Sequence, residues 1–150
     1  MFDIEKKLSE IALEDVLSIK DEDIAGKYKS LAKGFGSRIM NNTLLGAMAF
    51  LASKGGNDLN DEHTVLFMHI SDAIKKVYSS VPWKLAKEYR TKDKRGNPIL
   101  NTELYEEVLK HLSRSDAITD VMYIQELAMQ YVTYLRRYVA AFIEKEEEAG

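Results

Sequence analysis

The sequence contains no cysteine and only two prolines among its 150 residues. The absence of cysteine excludes disulfide bonds and thiolate metal sites, and it fits a reducing compartment. No apolar run approaches the roughly 18 residues that a membrane span needs, and the N-terminal segment MFDIEKKLSE lacks the basic-then-apolar order of a signal peptide. We therefore expect a soluble cytoplasmic protein that makes no contact with a membrane.

Strand patterns are also absent, because no segment alternates apolar and polar residues over the length of a strand. Hydrophobic residues make up 45% of the chain, and a domain of this length buries about two thirds of its unfolded surface. The apolar residues recur at helical spacing instead. The sequence predicts a single all-α domain over residues 1–150, a bundle of about six mainly antiparallel helices.

Acidic residues are missing from residues 24–57, although 24 of the 150 positions in the chain are Asp or Glu. This stretch, which we call the basic segment, holds five cations: Lys27, Lys29, Lys33, Arg38 and Lys54. The chain as a whole has a formal net charge of −3. A local reversal of sign is expected of a surface that meets an anion, and phosphate backbone is the commonest extended anion in a cell.

The basic segment contains two helical patterns that one straight helix cannot share. The apolar residues at helical spacing in 24–39 form one stripe, and those in 44–52 form a second stripe. The second stripe is rotated about the helix axis by more than about a quarter turn relative to the first. Gly34 and Gly36 lower helix propensity, and Asn41, Asn42 and Thr43 are good N-cap residues. The sequence therefore predicts that this second helix is kinked or broken between Gly34 and Thr43.

Helical spacing recurs in the rest of the chain. Further helices are predicted over residues 3–19, 66–80, 83–89, 102–112 and 121–142. In the last of these, apolar residues alternate three and four apart from Val121 to Phe142. This heptad pattern calls for packing along its length against one or more helices. The acidic tail, residues 144–148, is expected to be solvated.

A second basic cluster lies outside the basic segment. Residues 90–98, with the sequence RTKDKRGNP, contain no apolar residue and include a turn signal, so they predict an exposed loop. With its flank, this basic loop supplies five cations: Lys87, Arg90, Lys92, Lys94 and Arg95. We expect either a second phosphate contact or a segment that orders only when a partner binds.

Two stretches resemble a known family. Residues 39–54 resemble the signature of the small helical subunit of the type III-B CRISPR (Cmr) RNA-silencing complex, on the following residues: Asn42, Leu44, Phe50, Ser53 and Lys54. A second match runs from the Glu126-Leu127-Ala128 triplet to the run Tyr134-Leu135-Arg136-Arg137. The family pattern has Gly where this chain has Thr43, a second Gly where it has Leu45, and often Trp where it has Tyr134. Neither match is a catalytic signature.

The resemblance implies a non-catalytic subunit of an antiviral ribonucleoprotein that tiles along guide RNA and target RNA while other subunits cut the target. The implied partners are the other subunits of the effector complex and both RNAs, and the alternation of charge along the chain could let copies stack on one another. Sequence specificity would come from base pairing. Arg136 and Arg137, which are flanked by tyrosines, join the basic segment as candidate RNA contacts, since arginine both binds phosphates and stacks on bases.

Catalytic and metal-binding patterns have little support. Glu62, His69 and Asp72 fall near one helix face, but such triples arise by chance and the paired Glu-x-x-His repeats of a di-iron bundle are absent. The histidines have no cysteine partner and no serine at a nucleophile elbow. Gly34 and Gly36 lie in a helical context, so they fail the test for a dinucleotide site. The sequence predicts no enzyme, no metal and no cofactor.

Alternatives remain open for both the residues and the function. The basic residues could form an ordinary solvated face, and the paired arginines could bind Glu126 or Glu144. The alternative function is a helical protein–protein interaction module without direct nucleic-acid contact, whose basic face meets an acidic partner. The salt dependence of RNA binding separates the two functions, because phosphate contacts release counterions.

Overall fold

The computed structural model describes residues 2–148. The α-helices in this range are α1 (Phe2–Ile19), α2 (Ala25–Gly55), α3 (Glu62–Val77), α4 (Glu103–Leu112) and α5 (Ile118–Phe142). Short 3-10 helices cover Ala86–Tyr89 and Ser115–Ala117, and two short strands form a hairpin, β1 (Arg90–Lys92) and β2 (Pro98–Leu100). The predicted all-α bundle is confirmed. None of these helices is long and apolar enough to cross a membrane.

Helix α5 lies at the centre of the bundle, where it contacts α1, α2 and α3. Its heptad positions Ile124, Ala128, Tyr131 and Leu135 are fully buried. The pattern weakens at its C-terminal end, where Phe142 is 45% exposed. The predicted packing of this helix along most of its length is therefore confirmed, and burial of the heptad face is what joins the other helices into one core.

Helix α2 is interrupted at Thr43, whose backbone angles are φ 63° and ψ 167°. The break falls at the C-terminal limit of the predicted interval, while Gly34 and Gly36 are helical. The second half of the helix begins with two capping bonds: the Leu44 amide donates to Oε1 of Gln125 at 2.9 Å, and the Gly46 amide donates to Oγ1 of Thr43 at 3.4 Å. These bonds satisfy amides that a helix start leaves without partners.

The break lets both halves of α2 bury their apolar stripes. Phe35 and Ile39 in the first half are 1% exposed, as is Leu44 at the start of the second half. Across the bend, the guanidinium carbon of Arg38 lies 3.6 Å from the ring centroid of Phe50, in a cation–π contact. Arg38 and Phe50 therefore hold the two halves in their relative orientation.

The stretch after α3 differs from the sequence prediction. Where a short α-helix was predicted after Pro82, the chain forms the 3-10 turn Ala86–Tyr89. Trp83 is fully buried, and its indole Nε1 donates to the main-chain carbonyl of Ser71 at 3.0 Å. This side chain anchors the connection to α3, so the chain enters the hairpin from a fixed point.

The basic loop is an ordered hairpin, which corrects the prediction of a loop without strands. Strands β1 and β2 pair antiparallel, with Arg90 opposite Leu100. Oδ1 of Asp93 accepts bonds from two main-chain amides of the turn, both at 2.9 Å, and Gly96 takes a φ of 82° that favours glycine. Strands of three residues are too short to show an alternating pattern in the sequence.

The backbone of Thr43 generates the first testable prediction. A β-branched residue with this φ and ψ is strained by about 1 to 3 kcal/mol. Thr43→Gly relieves the strain but loses the weak cap to Gly46, and we expect the free energy of unfolding to rise by about 1 kcal/mol. Urea denaturation followed by circular dichroism measures the change.

Thr133→Gly provides the matched control, because Thr133 is an exposed residue in the regular part of α5. There the same substitution should lower the free energy of unfolding by roughly 0.5 kcal/mol, since glycine is the poorer helix former. If Thr43→Gly destabilises the protein as Thr133→Gly does, strain at Thr43 is not significant.

Candidate nucleic-acid interface

A groove of about 410 Å³ separates the first half of α2 from α5. Six of the residues that line this α2/α5 groove define its shape: Ala32, Lys33, Gly36, Met40, Val132 and Arg136. A Cβ atom at Gly36 would lie 3.8 Å from Cγ2 of Val132, so the missing side chain widens the floor of the groove. Lys33 on α2 and Arg136 on α5 bring cations to it from two distant parts of the sequence.

Both arginines of α5 are exposed, as expected for residues that bind an external anion. The alternative that they pair with Glu126 or Glu144 is not seen, because neither arginine forms an ion pair with any residue between positions 2 and 148. The guanidinium carbon of Arg137 lies 5.5 Å from the ring centroid of Tyr134. Arg136 is thus available at the groove, and Arg137 is available beside it.

Two lysines of α2 that the sequence predicted as RNA contacts, Lys29 and Lys33, already have partners within the protein. Nζ of Lys29 donates to the main-chain carbonyl of Ile143 at 2.6 Å, and Nζ of Lys33 pairs with Oε1 of Glu146 at 2.9 Å. The acidic tail therefore lies against the N-terminal half of α2, whereas the sequence predicted a solvated end. The signal that was missed is the spacing of Gly26, Lys29 and Lys33, which places an open backbone and two cations on one helix face.

The remaining cations of the basic segment do not join this groove. Arg38 is half-buried against Phe50 and serves the bend in α2. Lys54 is exposed in the last turn of α2, where a cation complements the helix dipole. Lys27 is exposed in the first turn of the same helix. The structure thus brings Lys33 and Arg136 together at the groove, while Lys29 bonds to Ile143 one turn away and Arg38 and Lys54 lie elsewhere.

The cations of the basic loop sit on the hairpin and its approach. Lys87, Arg90, Lys92, Lys94 and Arg95 are all exposed. Arg90 lines a cleft of about 730 Å³ that is bordered by Glu22 and Asp23 of the connection between α1 and α2. Acidic neighbours of this kind weaken the attraction for phosphate, so the hairpin is the less favourable of the two basic surfaces.

The suggested metal triple of Glu62, His69 and Asp72 is not assembled. Nδ1 of His69 shares a hydrogen bond of 2.7 Å with the Tyr28 hydroxyl, and Nε2 lies 3.9 Å from Oδ1 of Asp15. Burial lowers the pKa of His69, so it stays neutral near pH 7. His69 is therefore a partly buried residue whose side chain is engaged in the packing of α1, α2 and α3.

A different group of potential metal ligands occurs at the start of α3. Atoms of Asp61, Glu62 and His63 lie within 4.8 Å of one another. Oδ1 of Asp61 accepts from the His63 amide as the N-cap of α3, and it lies 2.8 Å from Nδ1 of His63. These bonds explain the cluster as the N-terminal cap of α3, because Oδ1 of Asp61 and Nδ1 of His63 are already hydrogen-bonded to each other.

Asp72 is a carboxylate in an unfavourable environment. Burial raises its pKa to about 6, even though the Ala86 amide donates to Oδ1 at 2.7 Å. A carboxyl group whose pKa is higher in the folded state than in the unfolded state binds its proton more tightly when folded. Asp72 therefore lowers the free energy of unfolding increasingly as the pH rises from its unfolded-state pKa to its folded-state pKa, and the full loss is present above the folded-state pKa.

We therefore expect Asp72→Asn to raise the free energy of unfolding by about 1 to 2 kcal/mol at pH 8, because the amide oxygen can still accept the Ala86 bond without a buried charge. The gain should vanish at pH 4. Urea midpoints between pH 4 and pH 8 measure it, and Asp23→Asn, at an exposed position, is the control. A gain that is independent of pH would contradict this explanation.

The fold is that of a small helical protein. A family model described as CRISPR-associated protein (Cas_Cmr5) matches residues 4–142, and the chain belongs to that family. This confirms the resemblance to the small subunit of the type III-B effector complex, and the protein is a CRISPR-associated subunit of that class. No curated protein sequence matches the chain at a significant level.

Proposed function

We propose that this chain is a non-catalytic small subunit of a cytoplasmic type III-B ribonucleoprotein, and that it contacts the phosphate backbone of guide RNA and target RNA through the α2/α5 groove. The observation that supports this proposal is the meeting of Lys33 and Arg136 at one groove. The sequence motifs that carry the family resemblance end at Arg137, so this side of α5 belongs to the family pattern as well as to the groove.

The chemistry of the groove suits phosphate better than bases. Arginine and lysine form charge-assisted hydrogen bonds with phosphate oxygens, and they do so without reading sequence. The lining has apolar residues such as Ala32, Gly36 and Val132, and its neutral polar side chains, Ser37, Asn41 and Thr133, can also bond to phosphate and sugar oxygens. A subunit of this kind follows the backbone, while base pairing between the two RNAs supplies specificity.

Binding of several copies side by side along one RNA duplex explains how the weak phosphate contacts of each copy become sufficient for RNA binding. A few phosphate contacts per subunit, at about 0.7 of salt slope each on a single strand, give weak binding by an isolated copy. Several copies held along one duplex by their neighbours share the entropy of ordering it, and their contacts add. In this proposal several copies of the subunit bind the RNA together.

Removing the arginine charges tests the groove directly. We expect the Arg136→Gln/Arg137→Gln double variant to bind a labelled 20-nucleotide RNA more weakly and to lower the salt slope by about 1.4, which corresponds to two lost phosphate contacts. Fluorescence anisotropy across a potassium chloride series from low salt measures both quantities.

The Lys84→Gln/Lys110→Gln double variant removes the same charge from exposed positions outside the groove, and we expect it to keep the wild-type slope. If both double variants change RNA binding equally, the effect is one of net charge alone. If the arginine variant binds RNA normally but fails to join the complex, the groove serves a protein partner, and the interaction-module function replaces this proposal.

The non-catalytic part of the proposal is supported by the state of the histidines. His63 is 2% exposed and bonded to Asp61, His69 is bonded to Tyr28, and Nε2 of His111 lies 2.6 Å from Oδ2 of Asp120. Each side chain is already engaged inside the protein. A general base for RNA cleavage has to reach the reacting hydroxyl group, and these positions offer poor access to it.

We accordingly expect purified protein to leave RNA and DNA intact in the presence of magnesium or manganese, as judged by denaturing gels. Glu62→Gln serves as the control for contamination, because it neutralises a carboxylate of the cluster at the start of α3. Cleavage that separates from the protein on further purification comes from a contaminant, whereas cleavage that stays with the protein and that Glu62→Gln abolishes would show that the subunit is an enzyme.

A further inference from the structure

The acidic tail follows a defined path across α2. Ile143 is 3% exposed, and its amide closes α5 by donating to the Val139 carbonyl at 3.1 Å. Beyond this buried residue the chain leaves the helix and returns over the first turns of α2. There the Glu147 amide donates to the main-chain carbonyl of Gly26 at 3.1 Å. The tail is thus fixed at both ends, by a buried residue and by a main-chain hydrogen bond.

The surface of α2 that receives the tail is shaped for it. A Cβ atom at Gly26 would lie 3.0 Å from Cγ of Glu147 and 3.2 Å from its amide nitrogen, so only glycine admits the tail backbone this closely. One turn further, Lys29 donates to Ile143, and Lys33 and Ser30 reach the two carboxylate oxygens of Glu146 at 2.9 and 3.5 Å. These side chains share one helix face and form an anion cradle.

The ion pair that closes the cradle is exposed and therefore weak. The side chains of Lys33 and Glu146 are 40% and 43% accessible to solvent. Exposed pairs of this kind contribute little to stability and are screened by salt. A carboxylate in such a pair can be exchanged for another anion at little cost.

Lys33 belongs both to the cradle and to the α2/α5 groove. An RNA strand that follows the groove past Arg136 brings a phosphate to the ammonium group that Glu146 holds. Carboxylate and phosphate oxygens accept the same charge-assisted hydrogen bonds from lysine, and two anions at this position would repel each other, so they compete for it.

We propose that the acidic tail is an internal competitor of RNA, which occupies the cradle in the free subunit and is displaced when phosphates of the bound strand reach Lys33 and Lys29. This inference rests on the proposed function of the groove. Because the tail is covalently attached beside the cradle, its effective concentration there is high and free anions compete with it poorly. An RNA that is already bound at Arg136 also presents its phosphates at high effective concentration, so it can compete.

The competition has a measurable signature in the salt dependence. Lys33 is paired with Glu146 in the free protein, so RNA binding at this lysine has to break an ion pair that is strongest at low salt. When Glu146 is made neutral, Lys33 meets the phosphate without that cost. The salt slope should then become steeper by about 0.7, and the affinity at low salt should rise by roughly two- to fivefold.

The test compares Glu146→Gln with Glu106→Gln in the 150-residue chain. Both variants lose one negative charge at an exposed position, but Glu106 lies on α4, whose Tyr105 hydroxyl bonds to Gly56 at the opposite end of α2. Anisotropy with labelled 20-nucleotide RNA gives affinity and salt slope. In parallel, the ¹⁵N heteronuclear NOE of the Glu147 amide in wild-type protein reports whether the tail leaves the cradle as RNA is added.

We expect Glu146→Gln to bind RNA more tightly with a steeper slope, Glu106→Gln to match the wild type, and the NOE of Glu147 to fall on saturation with RNA. If RNA binds through Arg136 and Arg137 while Glu146→Gln matches Glu106→Gln and the NOE is unchanged, the competition is refuted and the groove function stands. If neither the wild type nor Glu146→Gln binds RNA at low salt, both inferences fail.

Discussion

At Thr43 the backbone takes a φ of 63°, a conformation that a β-branched residue adopts at a cost, and both halves of α2 find their buried positions because of it. The two apolar stripes of this helix are rotated relative to each other, so a straight helix would bury one and expose the other. Gln125 caps the second half, and Arg38 stacks on Phe50 across the bend. The burial gained on both sides of the bend offsets the local strain.

The bend also determines where the charges of α2 lie. Because the helix turns at Thr43, Lys29 and Lys33 face the end of α5, while Lys54 lies beyond the bend. The protein carries a net charge of −3, yet Lys33 and Arg136 bring two cations to one groove, with Lys29 one turn away on α2. The positive charge at this groove is therefore a local property, and the total charge gives no indication of it.

The buried polar groups have a structural explanation. The Tyr131 hydroxyl donates to Oδ2 of Asp15 at 2.5 Å, and the Tyr28 hydroxyl bonds to His69 beside it, so α1, α2, α3 and α5 are tied at one level of the bundle. No side-chain nitrogen or oxygen that is buried among residues 2–148 lacks a hydrogen-bond partner. Polar networks that are satisfied in this way specify one arrangement of the core.

The amino-acid sequence by itself determined the α-helices α1 to α5, a break within α2, the heptad pattern of α5 and the family, because these depend on spacing along one stretch of chain. It did not indicate the 3-10 turn Ala86–Tyr89 or the hairpin. It also marked Lys33 and Arg136 separately as candidate contacts. Tertiary structure decided that these two cations meet at one groove, that Arg38 stacks on Phe50, and that the acidic tail lies on α2. Each of those contacts joins residues from separate helical segments, and the packing of helices, which periodicity does not encode, sets the distance between them.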